Sequence, residues 1–318
     1  MPNVPENDGC RHTLALTSST FSRSLASMRK LSALACALLL ILSPDRAPRA
    51  DTPHHTLWSV KGKTNTVYLL GSVHFLSPSE QLPAAMDAAY RDAEKLVMEI
   101  DMDDLDPQVT QKLTLDLGLL PANETLESKL GKPTYARVSK QAQAMGLDPA
   151  LLGRFRPWLA ALTLAQMNLK QLGLDAESGV EQKLVARAAA DHKEIIGLET
   201  LQQQLSMLAN LPDRQQREFL LYSVDDVERA NQDIDDLLAA WRKGDTATLA
   251  KLLSEGMDEY PELYRPLTVD RNRNWLKRIE QLLEEHDDYL VVVGALHLVG
   301  KDSVIDLLER DGHKARQQ

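Results

Sequence analysis

Two stretches at opposite ends of the chain carry the same pattern. In VYLLGSVHFL and VVVGALHLVG an apolar run leads into Gly-x-x-His, setting Gly71 with His74 and Gly294 with His297. Imidazole is an acid or base near neutral pH and, when neutral, a ligand for divalent transition ions. A third capable group, Glu99, closes the apolar run VMEI. Two imidazoles and a carboxylate form a donor set suited to Mn, Fe, Co or Zn, with the carboxylate offsetting ionic charge. Each histidine also admits a plainer role, hydrogen-bonded to a loop at a strand end, and Gly-x-x-His arises by chance in many sequences. Its repetition in matched contexts is what favours ligation.

Such a set works together only if the strands that carry it meet. The glycine lets the chain turn or another group come close at the strand end, and the histidine then projects over the carboxyl edge of the sheet, where open α/β sheets bind ligands. The expected elements fit this picture. TLWSVKGKTNTVYLLGSVHFL reads as strands Leu57–Val60 and Thr66–Leu70 around the turn Gly62–Asn65. SPSEQLPAAMDAAYRDAEK is helical, and LVMEID is a short buried strand, so strand, helix and strand imply a parallel crossover unit. From Leu105 to Gln171 the chain is helical, punctuated by Pro107, Pro121, Pro133, Pro149 and Pro157. GVEQKLVARAAADHK and EIIGLE give a second helix and strand, and Glu199 there reads as a charge at a helix N-terminus. A long helical region follows, with the acidic run DDVERANQDIDD as a solvated face, Gly244 ending one helix and Asp245 capping the next. The chain closes on strand, turn, helix and a short terminal strand. The fold class expected is α/β, a central mixed sheet with crossover helices in two related halves plus a large helical insertion.

Composition narrows the function classes. With 318 residues, 43% apolar and 26% charged, the chain can build a proper core. Residues 1–50 stand apart as a signal peptide or targeting segment: Arg29 and Lys30 precede an apolar run from Leu31 to Leu42, too short to span a bilayer comfortably. Met28 is the expected true start, residues 51–318 the expected domain, and the exported product is expected in a periplasm or outside the cell, with no membrane span. Cys10 and Cys36 are the only cysteines and both fall in the segment expected to be lost, which excludes disulfides and thiolate chemistry. Without residues 1–50 the chain keeps 30 basic against 43 acidic residues, a surface that repels phosphate backbones, so nucleic acid is not an expected partner. DMDDLDPQVTQK has the outline of a calcium loop but lacks its sixth-position glycine and carries Lys112 where a glutamate belongs. His54 and His55 read as flexible, and His192, His286 and His313 as solvated.

The ordered set GSVH, VMEID, RPW, GVEQ, GLET, DRNRNW and GALH resembles the TraB/GumN family, related to the Tiki metalloproteases, over about Thr56 to Ala315. The resemblance implies an α/β fold of paired halves and a site around the two Gly-x-x-His motifs and the strand-end glutamate, so that His74, Glu99 and His297 hold a divalent ion, Mn or Co foremost, with Zn or Fe as alternatives. It further implies roles for Glu181 of GVEQ and for Arg271 and Asn272 of DRNRNW. Asp270 stands where the family more often has glutamate, which puts any role for that position in doubt. On this basis Glu181 is the expected general base, and Arg271 or Arg156 the group that steadies an oxyanion or a substrate carboxylate. The plainer roles are a first-turn charge for Glu181, a helix cap for Asn272 and a helix-entry residue for Arg156. Two functions stand side by side: a secreted metal-dependent hydrolase, a peptidase before others, acting on a peptide or small molecule; or a non-catalytic module holding haem or a metal. The aromatic content of 5% gives haem little support.

Overall fold

Val291, Val292 and Val293 leave no face open to water, and the chain buries all three completely by making their strand a middle strand of the sheet. The computed structural model describes residues 54–224, 227–258 and 261–318; the 1–50 segment with Cys10 and Cys36 lies outside them. The strands are β1 (Leu57–Lys61), β2 (Thr66–Ser72), β3 (Lys95–Ile100), β4 (Ile195–Glu199), β5 (Tyr289–Gly294) and β6 (Ala315–Gln317), and the helices that precede β4 are α1 (Ala84–Asp92), α2 (Pro107–Gly118), α3 (Leu126–Leu130), α4 (Lys132–Ala144), α5 (Pro157–Gln171) and α6 (Val180–Asp191). After β4 come α7 (Leu201–Ala209), α8 (Asp213–Val224), α9 (Val227–Lys243), α10 (Thr246–Asp258), α11 (Pro261–Tyr264), α12 (Asp270–Leu282) and α13 (Val304–Arg310). Among the described residues no helix is long and apolar enough to cross a membrane.

The sheet is mixed, with order β4-β3-β5-β2-β1-β6. β4, β3, β5 and β2 run parallel, whereas β1 pairs antiparallel with β2 and β6. The crossover through α1 carries the chain from β2 to β3 but leaves one place between them, and β5 fills it from the far end of the sequence. The strands ending in Gly-x-x-His are therefore neighbours, with Gly71 opposite Val293 and Ser72 opposite Gly294. Gly71 lies within β2 rather than at a turn. A Cβ there would stand 3.2 Å from the Ala295 Cα, so close approach, not turning, is what the glycine serves.

One large core gathers the sheet with apolar residues of α1, α6, α9, α10, α12 and α13, among them Tyr90, Leu184, Trp241, Leu249, Trp275 and Leu308. Helices on both sides of β4 in sequence share two further apolar clusters, one around Leu126, Val138, Leu164 and Leu220, the other around Trp158, Leu208 and Leu263. The exposed residues 232, 233, 235 and 236 of α9 match the solvated reading of the acidic run, while Trp241 at its end is buried and donates from Nε1 to the Gly71 carbonyl at 2.8 Å. Gly244 takes a positive φ of 63° and Asp245 accepts from the Thr248 amide at 3.0 Å, as a helix end and a cap require. His55 departs from the flexible reading: its amide donates to Gln318 O at 2.7 Å, which ties it to the last strand.

Candidate active site

Three parallel strands deliver their carboxyl ends to one edge, and each brings a polar group to it. Glu99 is the penultimate residue of β3, His74 lies two residues beyond β2, and His297 ends a short 3-10 turn, Ala295–His297, directly after β5. Their meeting point is the face of Gly294. A Cβ on that glycine would lie 3.5 Å from Glu99 Oε1, 3.6 Å from His74 Nε2 and 3.7 Å from His297 Cδ2. The three residues singled out as ion donors therefore converge, although nearly the whole described chain separates the two histidines.

Each histidine is held from behind. His297 Nδ1 lies 2.6 Å from Asn272 Oδ1, and Asn272 donates through Nδ2 to Asp302 O at 2.8 Å. Because that amide already donates to a carbonyl, Oδ1 is its acceptor end, the proton sits on His297 Nδ1, and Nε2 keeps its lone pair facing the cluster. Trp275 packs on the same imidazole, ring centroids 4.5 Å apart. Burial pushes the His297 pKa down to about 4, with the charges of Arg271 and His74 acting in the same direction against Glu99. His74 sits the other way round. Its Nδ1 lies 2.8 Å from Glu181 Oε1, which also accepts from the Ser72 hydroxyl. The Glu181 charge raises the His74 pKa to about 9, against the effect of burial, although the ring remains 56% exposed on the solvent side of the cluster.

The loop that carries His74 is fixed by the segment leading into α6. Leu76 and Asp175 exchange backbone hydrogen bonds at 3.3 and 2.9 Å, and the Val180 amide donates to Val73 O at 3.2 Å. Gly179 packs flat on this loop, where a Cβ would fall 2.2 Å from the His74 carbonyl oxygen. The GVEQ motif thus supplies a close backbone approach as well as the carboxylate. Glu181 lies in the first turn of α6 and is buried. Its contacts to His74 and Ser72 hold the imidazole in place.

Arg271 ties the rest together. A turn of π-helix, Arg265–Val269, precedes α12, and the Asp270 amide donates to Arg265 O, five residues back. Such widened turns recur at functional sites. Here the turn leads straight into Arg271, whose Nη1 reaches back to Leu267 O at 3.4 Å and forward to His297 Nε2 at 3.1 Å, while Nη2 donates to Glu99 Oε2 at 2.6 Å and to Glu199 Oε1 at 2.5 Å. Its guanidinium also covers the Trp275 ring at 4.5 Å. Glu99 accepts from the Gly294 amide at 2.9 Å and from Gln204 Nε2 at 3.1 Å. Burial works against a charge on Glu99, but His297, Arg271 and His74 outweigh it and hold the pKa at about 2.

Of the plainer roles expected from the sequence, those of Glu199 and Asn272 change and that of Arg156 holds. Glu199 is no helix charge, because Thr200 and Gln203 cap α7 reciprocally and leave the carboxylate to Arg271. Asn272 lies inside α12, fully buried, and caps no helix. Arg156 is a helix-entry residue that donates to Leu119 O and Ala209 O, both at 3.4 Å, within the insertion, and it has no contact with the cluster. Ser72, Gln204 and Trp275 are cluster residues that the sequence reading did not name. Ser72 was the easiest to find, being the first residue after Gly71 in the motif itself.

Among the described residues no group of three or more His, Cys, Asp or Glu side chains is closed up as an ion-holding set. Arg271 takes lone pairs of both Glu99 and His297. The chemistry of the donors nevertheless fits a divalent transition ion: two imidazole Nε2 atoms and one carboxylate, each histidine fixed at Nδ1 by an oxygen acceptor, which is how metal-bound histidines are oriented.

A parallel-centred α/β sheet with a buried polar cluster at its carboxyl edge is the class of protein this fold and site define. The chain belongs to the TraB/PrgY/gumN family, whose pattern it matches over residues 56–317. It is 28% identical over 255 residues to YbaP of Escherichia coli (strain K12), described as an uncharacterized protein, covering 76% of this chain and 87% of that one, and equally to YbaP of Shigella flexneri. An uncharacterized protein of Treponema pallidum (strain Nichols) is 25% identical over 276 residues, covering 80% of each chain. No solved structure matches.

Proposed function

We propose that the protein is an exported metal-dependent hydrolase, a peptidase before other kinds, related to the Tiki metalloproteases and sharing their paired-half fold. His74, His297 and Glu99 hold the divalent ion, Mn or Co foremost. The observation that carries this reading is the matched pair of histidines, brought from both ends of the chain to the face of Gly294 with each Nδ1 held by an oxygen acceptor. The ion, when bound, polarises a carbonyl and lowers the pKa of a bound water. The remaining steps belong to the chain. Glu181 and Ser72 orient His74, Asn272 orients His297, and the N–H groups of Arg271 stand where they can stabilise charge developing on a carbonyl oxygen. The half-exposed His74 marks the side from which a peptide approaches.

The test begins with elemental analysis of the purified chain beside a His74→Ala, His297→Ala double variant, followed by a peptide library incubated with Mn or Co. Cleavage that needs the ion and disappears in Glu99→Gln supports the hydrolase. Cleavage that continues in chelator refutes metal dependence. Tight metal uptake with every peptide left intact, or a Soret band on haem addition, assigns the chain to the binding-module class instead.

A further inference from the structure

Two of the three groups that would hold an ion already serve Arg271. Glu99 Oε2 accepts from its Nη2 at 2.6 Å, and His297 Nε2 lies 3.1 Å from its Nη1. A guanidinium stays protonated at any pH the protein meets, so Arg271 cannot release these lone pairs by losing a proton and must move to do so. Glu199 offers the place to go. It receives Nη2 at 2.5 Å and Nε at 3.1 Å, two adjacent N–H groups of one planar fork; Nη2 is shared with Glu99, whereas Nε serves Glu199 and not Glu99. The backbone beneath is firm: Glu199 ends β4, paired in register with Ile100 of β3, and the reciprocally capped α7 begins two residues later.

Resting on the metal-dependent reading above, we infer that Glu199 is a positioning residue acting through Arg271: it draws the guanidinium off Glu99 and His297, so that these can accept a divalent ion, and thereby sets the ion affinity of the site. The exchange makes and breaks hydrogen bonds only. With glutamine at 199, Glu99 becomes the sole carboxylate partner of Arg271 in the cluster, and the competition for Glu99 sharpens. With an uncharged residue at 271, Glu199 has nothing to act through.

The experiment is calorimetric titration of the ion-free full chain with Mn(II), with the visible spectrum of added Co(II) reporting coordination at the same site. It uses wild type, Glu199→Gln, Arg271→Met and the double variant. Glu199→Gln should weaken Mn(II) binding roughly ten-fold or more, the size usual for residues that orient a metal's surroundings. Arg271→Met should tighten it, and adding Glu199→Gln to Arg271→Met should change little further. Glu199→Asp, which keeps the charge and the fold, should recover part of the loss. Equal weakening by Glu199→Gln in both backgrounds overturns the inference, because Glu199 would then contribute charge alone. Weakening by Arg271→Met overturns it too, making Arg271 a support instead of a competitor, while the metal-dependent reading survives both results. If neither wild type nor Arg271→Met binds Mn(II) or Co(II), that reading and this inference fall together.

Discussion

Gly294→Ala separates the fold from the site more cleanly than removal of any donor. Gly294 has φ −52° and ψ 140°, a conformation open to alanine, so the backbone does not resist the change. The new methyl meets Glu99 Oε1, His74 Nε2 and His297 Cδ2 at 3.5, 3.6 and 3.7 Å, ordinary contact distances, so the ion-free protein does not resist it either. Replacing glycine at a compatible position narrows the unfolded ensemble and stabilises by about 0.4–1 kcal/mol. The cost falls on binding. A metal bond to imidazole is only about 2.1 Å long, so an ion shared by three groups that all touch one methyl can enter only if they swing away from it. Repositioning packed side chains around an added methyl typically costs about 1–3 kcal/mol, which is roughly 5- to 150-fold in a dissociation constant. Thermal unfolding should therefore give an unchanged or slightly higher Tm, while Mn(II) titration shows binding weakened within that range. Mn(II) affinity within two-fold of wild type in a folded Gly294→Ala protein would refute the claim that the three groups share a ligand there.

Other perturbations have equally definite outcomes. Gly179→Ala drives a Cβ to 2.2 Å from the His74 carbonyl oxygen, backbone against backbone, so it should destabilise by about 1–3 kcal/mol in denaturant melts; wild-type stability would mean the loop is not held as described. Asn272→Ala leaves His297 Nδ1 and Asp302 O without their buried partner and should cost about 1–3 kcal/mol, and it should also release the imidazole, seen as a changed His297 proton resonance. Glu99 titrates at about 2 in the fold, below its ordinary range near 4.5. The stability its ionisation provides is therefore complete above the unfolded pKa and drains away as pH falls from about 4.5 toward 2. The stability gap between ion-free wild type and Glu99→Gln should close across that window, and a gap constant from pH 6 to pH 3 would count against the Arg271 pairing.

The parts legible in the sequence were those written in local pattern. The apolar runs before Gly71 and Gly294 announce buried strands, and their shared ending announces a shared edge. Glu99 follows from its place at the end of a third such run. What local pattern could not show was which neighbour each polar group would choose. GLET reads as a helix start because Thr200 and Gln203 do form a capping box, yet that same box leaves Glu199 free to turn to a guanidinium 72 residues away. Asn272 was placed at the site by resemblance with a helix cap as its plainer role, because asparagine favours helix ends, and the π turn that continues directly into α12 shows the residue to be internal. Arg271 was placed by resemblance alone, since a charged residue in an amphipathic helix normally marks the solvent side. His55 was misread because its partner is the last strand of the chain, invisible from its own neighbourhood.

The topology explains why the cluster needs cations of its own. β5 enters between β2 and β3 from the end of the sequence, and the edge it completes gathers the buried Glu99 and Glu181 and the partly buried Glu199, where an unpaired buried carboxylate costs several kcal/mol. A site built from these groups and nothing positive would leave folding dependent on the ion, as small metal-stapled domains are. Here Arg271 pairs with Glu99 and Glu199, and His74, protonated near neutral pH, pairs with Glu181. Among the described residues, the two buried acids Glu99 and Glu181 are therefore compensated as the chain folds. On the metal-dependent reading, a cation entering later must displace the guanidinium from Glu99 and His297 and the proton from His74, and so these two charges govern how readily the site is filled.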